Sequence, residues 1–562
     1  MRNRPCDSVH KLAATSGNLV FACCFTSSHG YARNDNVRDV EARLHEFVVA
    51  GDGPQPLARV CNELRAAFRV GEDRRVFRVR RTWLDTFDWQ LYRAGLTLQH
   101  AGPRGRGELV LTDGSGRQVS ARTDGPPAPP RWPCLPDALP PGPLRDQVAA
   151  VAGLRALLPV VTVVSQEREI RLRNADGQTV ARIVITEMSM PAPRAAQIPT
   201  RLAVTEVPGY PAAARRARGI LAGTAGVAVT EQPALDAALA AAGRRALDYT
   251  GKVHVALRPA MPGAEAVTAI LLEQLDILEA NVDGVLHDID IEFLHDLRVA
   301  VRRTRSALKL LGDMLPGNLT ARFAAEFRWL GDATTPLRDL DVHLLSVPPM
   351  ATRLATAQPA DLAPFLGYLE RRRAAERRKL NQALRSARFA ALVGDWRKAL
   401  LGSHGAGDAR ARPSAAELSA ERTRHAFQRV VKLGSAITAA SPPESLHTLR
   451  KRCKELRYVL EFFASLHNPR AYRAVLGDLK RLQDCLGEFQ DSQVQREEIQ
   501  SLAAAMQAAG PVPARTLLAM RELADQLGPR QHAAREAFAD RFAGFAGDAG
   551  QRRMAVLTGD TA

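Results

Sequence analysis

Cysteine is sparse in this chain and falls in no pattern. There are seven, an odd number, and no two stand at a metal-site spacing. That gives no basis for a disulfide framework and fits a reducing, cytoplasmic setting. Aromatic residues make up only 5% of the chain, too few to suggest the ring-stacking platforms of single-stranded nucleic-acid binders. No stretch after the first 37 residues approaches the roughly 18 apolar residues that a membrane span needs. Acidic residues are the minority charge. Lys and Arg number 77 against 60 Asp and Glu, for a net charge of +17. Such a balance bears on partners rather than on fold. The candidates are nucleic acid, anionic lipid and inorganic polyanions.

What the chain does have is a row of cations on a helical face, present twice. HDLRVAVRRTRSALKL places His295, Arg298, Arg302, Arg305 and Lys309 on one line. HTLRKRCKELRYVLEF places His447, Arg450, Lys454 and Arg457 on another. Like charges three or four residues apart on a helix repel by about 0.2–0.5 kcal/mol per pair. The four steps of the first row therefore cost about 1–2 kcal/mol unless something anionic offsets them. The first row rises through roughly 21 Å from His295 to Lys309, a length suited to a regularly charged polymer. Opposite the cations run Leu294, Leu297, Val301, Thr304, Leu308 and Leu311, matched by Leu446, Leu449, Cys453, Leu456, Leu460 and Phe463. These are core faces at helical period.

The two rows are offset by 152 residues. The same offset carries Arg328 to Lys480, Asp332 to Asp484 and Asp339 to Asp491. This is a duplicated helical bundle, and a pseudo-twofold between the copies would bring the two cationic faces together. The Arg cluster at 371–379 circles its helix and reads as a solvated face.

Upstream, the composition changes. VEARLHEFVV, RRVFRVRRTWLDT, GLTLQH, GELVLTD, REIRLRN, TVARIVITE and RLAVTEV are short β-branched or alternating runs, several divided by Asp-Gly or Pro-Gly turns. Helical pieces interrupt near 56–68 and 143–158, and 124–143 is a proline-rich loop. The class predicted is α+β: an antiparallel barrel or tunnel-like domain, then an all-α double four-helix bundle. The boundaries expected are a leader or mis-assigned start over 1–37, the strand-rich domain over 38–245 and a linker over 246–262. The helical domain follows over 263–545, with repeats at about 263–402 and 417–545, and then a tail from 546.

With those motifs in order, joined by PLRDLDV at 336–342 and LKRLQDCLGEFQDSQV at 479–494, the helical half resembles the CHAD domain family (conserved histidine α-helical domain). The resemblance implies two four-helix bundles that bind inorganic polyphosphate on a shared basic surface, with no established catalytic activity. It points to His295, Arg298, Arg302, Arg303, Arg305, Lys309, His447, Arg450, Lys451, Lys454, Arg457 and Tyr458 as contacts. Arg328, Arg338 and Lys480 are secondary candidates. The histidines titrate near neutrality and would gain charge against a polyanion, or else serve a helix end or a carboxylate. Asp339 and Asp491 read as groups that orient basic side chains or cap helices.

The strand-rich half resembles the CYTH, or triphosphate tunnel, family more faintly, through WLDTFDWQLYRAGLTL at 83–98. Active members use a Glu-x-Glu-x-Lys strand with a divalent metal. Here the first strand offers Glu41, Arg43 and His45, and Gln99 and His100 stand where cations are expected. A displaced Glu167, Glu169 and Arg171, with Arg173 continuing the face, are weak metal candidates or an ion-pair ladder. The leading expectation is therefore non-catalytic polyphosphate binding, for docking on polyphosphate granules or organising them, with no cofactor. The alternatives are a Mg-dependent triphosphatase or polyphosphatase fed by the helical half, and nucleic-acid binding.

Overall fold

The computed structural model describes residues 46–50, 54–72, 76–102, 107–114, 116–123, 131–191, 196–402 and 413–559. The leader, with Glu41, Arg43 and His45, lies outside them, as do most of the loop between the repeats and part of the proline-rich loop. Ten strands come first: β1 (Glu46–Val49), β2 (Arg69–Glu72), β3 (Phe77–Asp85), β4 (Leu96–Gly102), β5 (Glu108–Asp113), β6 (Gln118–Thr123), β7 (Leu158–Arg173), β8 (Thr179–Ser189), β9 (Gln197–Glu206) and β10 (Val227–Thr230). They are accompanied by α1 (Pro54–Arg65), α2 (Gln90–Arg93), α3 (Pro143–Ala152), α4 (Pro211–Gly223) and α5 (Ala234–Ala241).

The strands form one antiparallel sheet in the order β10-β1-β9-β8-β7-β3-β4-β5-β6, with β2 also on β7. The expected barrel is not closed, because β10 and β6 stand at opposite ends of this order. At the β6 end, α3 packs against the strand, a cover that blunts a sheet edge without pairing it. β7 is longer than its alternation suggests because its buried face changes partway. Val161 and Val163 pack with α5, whereas Ile170 and Leu172 face the opposite side under α1 and α4. A change of phase hides the single strand from a period-two reading.

The rest is helical: α6 (Gly263–His287), α7 (Ile291–Leu311), α8 (Gly317–Ala351), α9 (Ala363–Leu384) and α10 (Ala387–Gly402), then α11 (Ala415–Ser435), α12 (Pro443–Phe462), α13 (Pro469–Ala509), α14 (Ala514–Asp525), α15 (Leu527–Ala546) and α16 (Asp548–Thr558). The starts of α6, α7 and α8 recur 152 residues later in α11, α12 and α13. The last helical span of each half is broken, at Arg385–Ser386 in one and at Gln526 and Gly547 in the other. Residues 548–558 form α16, whose Met554 and Leu557 are buried in the second core.

Three apolar clusters organise the helices. One belongs to the first half, and Tyr458, Val459 and Phe462 of α12, with Phe463 just after it, reach into it. The second belongs to the second half. The third gathers the far ends of α8 and α13 with α9 and α14. Leu297, Leu311, Leu449 and Leu456 are fully buried, so burial of these faces fixes the rotation of α7 and α12. The cations then occupy the remaining face.

Candidate polyanion-binding surface

α7 begins at Asp290, whose carboxylate accepts from the backbone N–H groups of Glu292 (2.9 Å) and Phe293 (3.2 Å), a side-chain cap. Along its polar face Arg302, Arg305 and Lys309 are exposed, and His295 and Arg298 are half-buried. Arg298 donates to the hydroxyls of Thr334 (3.1 Å) and Thr335 (2.8 Å) on α8. Arg305 lies against Gly331, where an added Cβ would stand 2.9 Å from its guanidinium. Arg338 reaches back to Glu292 at 3.7 Å. Arg328, exposed on α8, shares the 3–4 spacing of Gly331, Thr335 and Arg338.

α12 repeats this with different partners. Arg450 pairs with Asp491 at 2.9 Å, and Arg457 donates to Glu461 at 2.7 Å and to Gln483 at 3.4 Å. Lys451 is exposed, and Lys480 faces Asp484 one turn on. The two rows meet. Arg302 of α7 lies over the ring of Tyr458 of α12 at 5.8 Å. Burial, then the charges of Arg450, Arg302 and Arg457, push the Lys454 ammonium down to about 8, against the pull of Asp491. Arg302 and Lys454 are repeat equivalents, so each row places the same position at the junction. Among the described residues neither has a carboxylate at ion-pair distance, nor do Arg298, Arg305 and Lys451.

Two ion pairs clasp the helices beside this junction. Arg303 donates to Glu461 at 2.9 Å and to the Gly251 carbonyl at 2.7 Å. Lys309 reaches Glu455 at 2.6 Å. By the 152 offset Arg303 corresponds to Glu455 and Lys309 to Glu461. The pairs are thus one contact seen from both sides of a pseudo-twofold, with α7 and α12 antiparallel. The first copy supplies both cations and the second both anions. Burial raises the Glu461 carboxyl, but Arg303 and Arg457 outweigh it and hold it below the usual range. Arg303 is only 5% exposed and Tyr458 also 5%. Both sequence-derived candidates face inward, one as a clasp and the other as the floor under Arg302.

Both row histidines are shifted toward the neutral imidazole. His295 is pushed down to about 3, first by burial and then by Arg338, Arg302, Arg155 and Arg298. His447 is lowered by burial and by Lys451, Arg450 and Lys454, and Gln490 hydrogen-bonds its ring.

Arg155, a residue that sequence reasoning did not single out, ties the sheet domain to this face. It is 4% exposed and lies 2.6 Å from Asp296, 3.6 Å from Asp88 and 3.7 Å from Asp290. Its guanidinium stands over Phe293 at 5.6 Å, and the Ala156 N–H donates to the Asp290 cap at 2.9 Å. Phe87 packs its ring at a tilt against both Tyr249 and Phe293. The only sequence signal was a lone arginine in the Leu-Arg-Ala-Leu-Leu run after α3. The Arg cluster on α9 also proves partly structural, with Arg373 bridging Asp341 (2.6 Å) and Asp288 (2.7 Å).

In the sheet domain Glu167 is ion-paired with Arg81, and Glu169 accepts from Arg171 at 2.7 Å. Glu46 is held by Arg201. Among the described residues no three His, Cys, Asp or Glu side chains converge in a metal-binding group. Asp85 of the Asp-Thr turn instead builds structure, accepting from the N–H groups of Thr86, Leu91 and Tyr92. Burial first of all raises its carboxyl to about 6.

Residues 269–500 match the family model described as CHAD domain. This part of the chain is a CHAD domain. Among solved structures the chain is similar to the CHAD domain of the plant Ricinus communis, at 28% identity over 55% of this chain and 96% of that one, with a TM-score of 0.42. Over the N-terminal region it is similar to two other proteins. One is a Bacillus halodurans protein described as an adenylate cyclase (13% identity, 34% of this chain and 95% of that one, TM-score 0.24). The other is a Hippeastrum protein described as an adenylyl cyclase with a dominant triphosphatase activity (10% identity, 37% and 98%, TM-score 0.25). A search of curated proteins finds no match. The CHAD match spans both cationic helices, all of α8 and most of α13. No helix among the described residues is long and apolar enough to cross a membrane.

Proposed function

We propose that this chain binds inorganic polyphosphate on the surface formed where α7 meets α12. One observation carries the reading. Symmetry-equivalent cations from the two halves, Arg302 and Lys454, press on each other at the junction without an ion-paired carboxylate among the described residues. Mutual repulsion that burial strengthens is unfavourable in the unliganded protein and is relieved by an anion bridging the two groups. Arg298, Arg305 and Lys451 extend the charge along both helices, and Arg is suited to bidentate phosphate contact. Arg303 and Tyr458 support the surface from beneath. The reading extends to docking on polyphosphate granules.

The sheet domain serves as a rigid support through Arg155. Glu167 and Glu169, which a metal-dependent triphosphatase reading would use, are occupied by guanidinium groups, and this favours the binding reading. The test is titration of the full chain with long-chain polyphosphate, comparing the wild type with an Arg302→Glu, Lys454→Glu double variant. Near-complete loss of binding with unchanged circular dichroism is expected. Retained affinity would overturn the reading, and preferential displacement by single-stranded RNA would replace it with a nucleic-acid one. Phosphate release from triphosphate with Mg²⁺, abolished by mutating Glu167 and Glu169, would restore the enzyme reading.

A further inference from the structure

The two cationic helices rest on their long neighbours, α8 and α13, in different ways. In the first half α8 turns a bay of small residues toward α7. Thr334 and Thr335 each donate a hydroxyl hydrogen to the Gly331 carbonyl, at 2.9 and 2.8 Å. Their oxygens are left to accept from one nitrogen of Arg298, at 3.1 and 2.8 Å. Beside them the bare Cα of Gly331 lets the Arg305 guanidinium lie against α8, since a Cβ there would stand 2.9 Å from its Nη1. Neutral groups thus fix both guanidinium heads and leave their charge unshared. Asp339 is the acid that acts on Arg298, and no ion pair joins them.

In the second half the bay is gone. Gln483, Leu486 and Gly487 stand at the positions of Gly331, Thr334 and Thr335. There Arg450 is paired with Asp491 at 2.9 Å and Arg457 with Glu461 at 2.7 Å. Each of these arginines has to leave or share a carboxylate to hold a phosphate, whereas Arg298 and Arg305 do not. We propose that Gly331, Thr334 and Thr335 are positioning residues for polyphosphate, and that the surface holds its ligand chiefly from the α7–α8 side through Arg298 and Arg305. This rests on the reading of the junction as a polyphosphate-binding surface. A donor already held in place loses less freedom when the ligand arrives, and a fixed guanidinium fork suits two-point contact with phosphate.

The test is titration of the full chain with tripolyphosphate and with long-chain polyphosphate, alongside urea unfolding. Thr335→Val removes the acceptor and keeps the shape. Affinity should fall about threefold to tenfold, and Thr335→Ser should restore it. Gly331→Ala should weaken binding by a similar factor with an unfolding midpoint unchanged or higher. Alanine favours a helix over glycine, and only the flexible head of Arg305 has to move. Neither variant removes a charge, so the salt slope keeps its wild-type value, whereas Arg298→Gln lowers it by about 0.7. In the Arg298→Gln background Thr335→Val should cost nothing further, and the same holds for Gly331→Ala in the Arg305→Gln background. Gly487→Ala, at the place of Thr335 in the second half, should leave affinity unchanged. Arg298→Gln and Arg305→Gln should each cost more than Arg450→Gln or Arg457→Gln. Equal losses from the two halves, or α8 effects that persist once their arginine is absent, would overturn the proposal. Binding that is intact and indifferent to the α8 variants sinks the positioning alone, whereas a wild type that binds neither ligand sinks the surface and the positioning with it.

Discussion

The two halves of the helical region share a backbone and differ in charge. α6, α7 and α8 recur 152 residues later as α11, α12 and α13, yet at the clasp the first half carries Arg303 and Lys309 where the second carries Glu455 and Glu461. Had the copies remained identical, a symmetric contact would set Arg against Lys on both sides, or Glu against Glu. The divergence turns that repulsion into two ion pairs. At the positions facing the ligand surface no such reversal occurred, since Arg302 and Lys454 are both cations. Attraction is placed where the helices must hold together, and repulsion is retained where, on the proposed function, an anion binds.

The sharpest way to break this comparison is to reverse the retained repulsion. Arg302→Glu with Lys454→Glu is expected to weaken polyphosphate binding by about a hundredfold or more at moderate salt, as read by titration.

Next comes the clasp. Arg303→Glu leaves Glu461 buried beside a second carboxylate and should cost about 3–5 kcal/mol in urea unfolding. Adding Glu461→Arg should restore most of it, with polyphosphate affinity largely unchanged. The symmetry-equivalent Lys309→Glu should cost only about 0–1 kcal/mol, because the Lys309 side chain is 57% exposed. Equal costs for the two would show that symmetry, not burial, governs the clasp.

Glu461 also sets a pH window. Its folded carboxyl is lower than the unfolded value of 4.5. The clasp's contribution is therefore complete above that value and is lost as pH falls through the lower folded one. A smaller effect concerns binding. Lys454 titrates near 8 in the free protein, and a polyanion favours its charged form. Affinity should therefore fall as pH rises past 8, and Lys454→Arg should flatten that decline. The smallest expected effect is in salt. Among the described residues, five cations of this surface have no ion-paired carboxylate: Arg298, Arg302, Arg305, Lys451 and Lys454. The log–log slope should then be about −3 to −4 at 0.7 per phosphate, shallower than a count of every cation in both rows would give.

How much of this was visible beforehand differs between the two domains. In the helical half, the repeat and the opposed core and cation faces follow from residue spacing alone, because a helix maps sequence onto faces with a fixed period. The partners of the cations do not follow. Arg303 adjoins Arg302 in sequence but points about 100° away around the helix, into the junction with α12. Glu461 and Glu455 look like ordinary charges on a helix until the second half is folded against the first. In the sheet half, only the second part of β7 was read as a strand, in REIRLRN, because the buried face of the full strand changes phase. The open edge at β6 depends on where α3 packs, which no local pattern records. Arg155 showed only as a lone arginine in an apolar run, since its three aspartates come from two domains.

The claim that the two rows act as one site is tested most directly by the stoichiometry of a short polyphosphate, measured by calorimetry on the full chain and on the Arg302→Glu and Lys454→Glu single variants. The account predicts one ligand per chain, with each variant weakening that same site. Two independent sites, with either variant keeping half the stoichiometry at undiminished affinity, would contradict it.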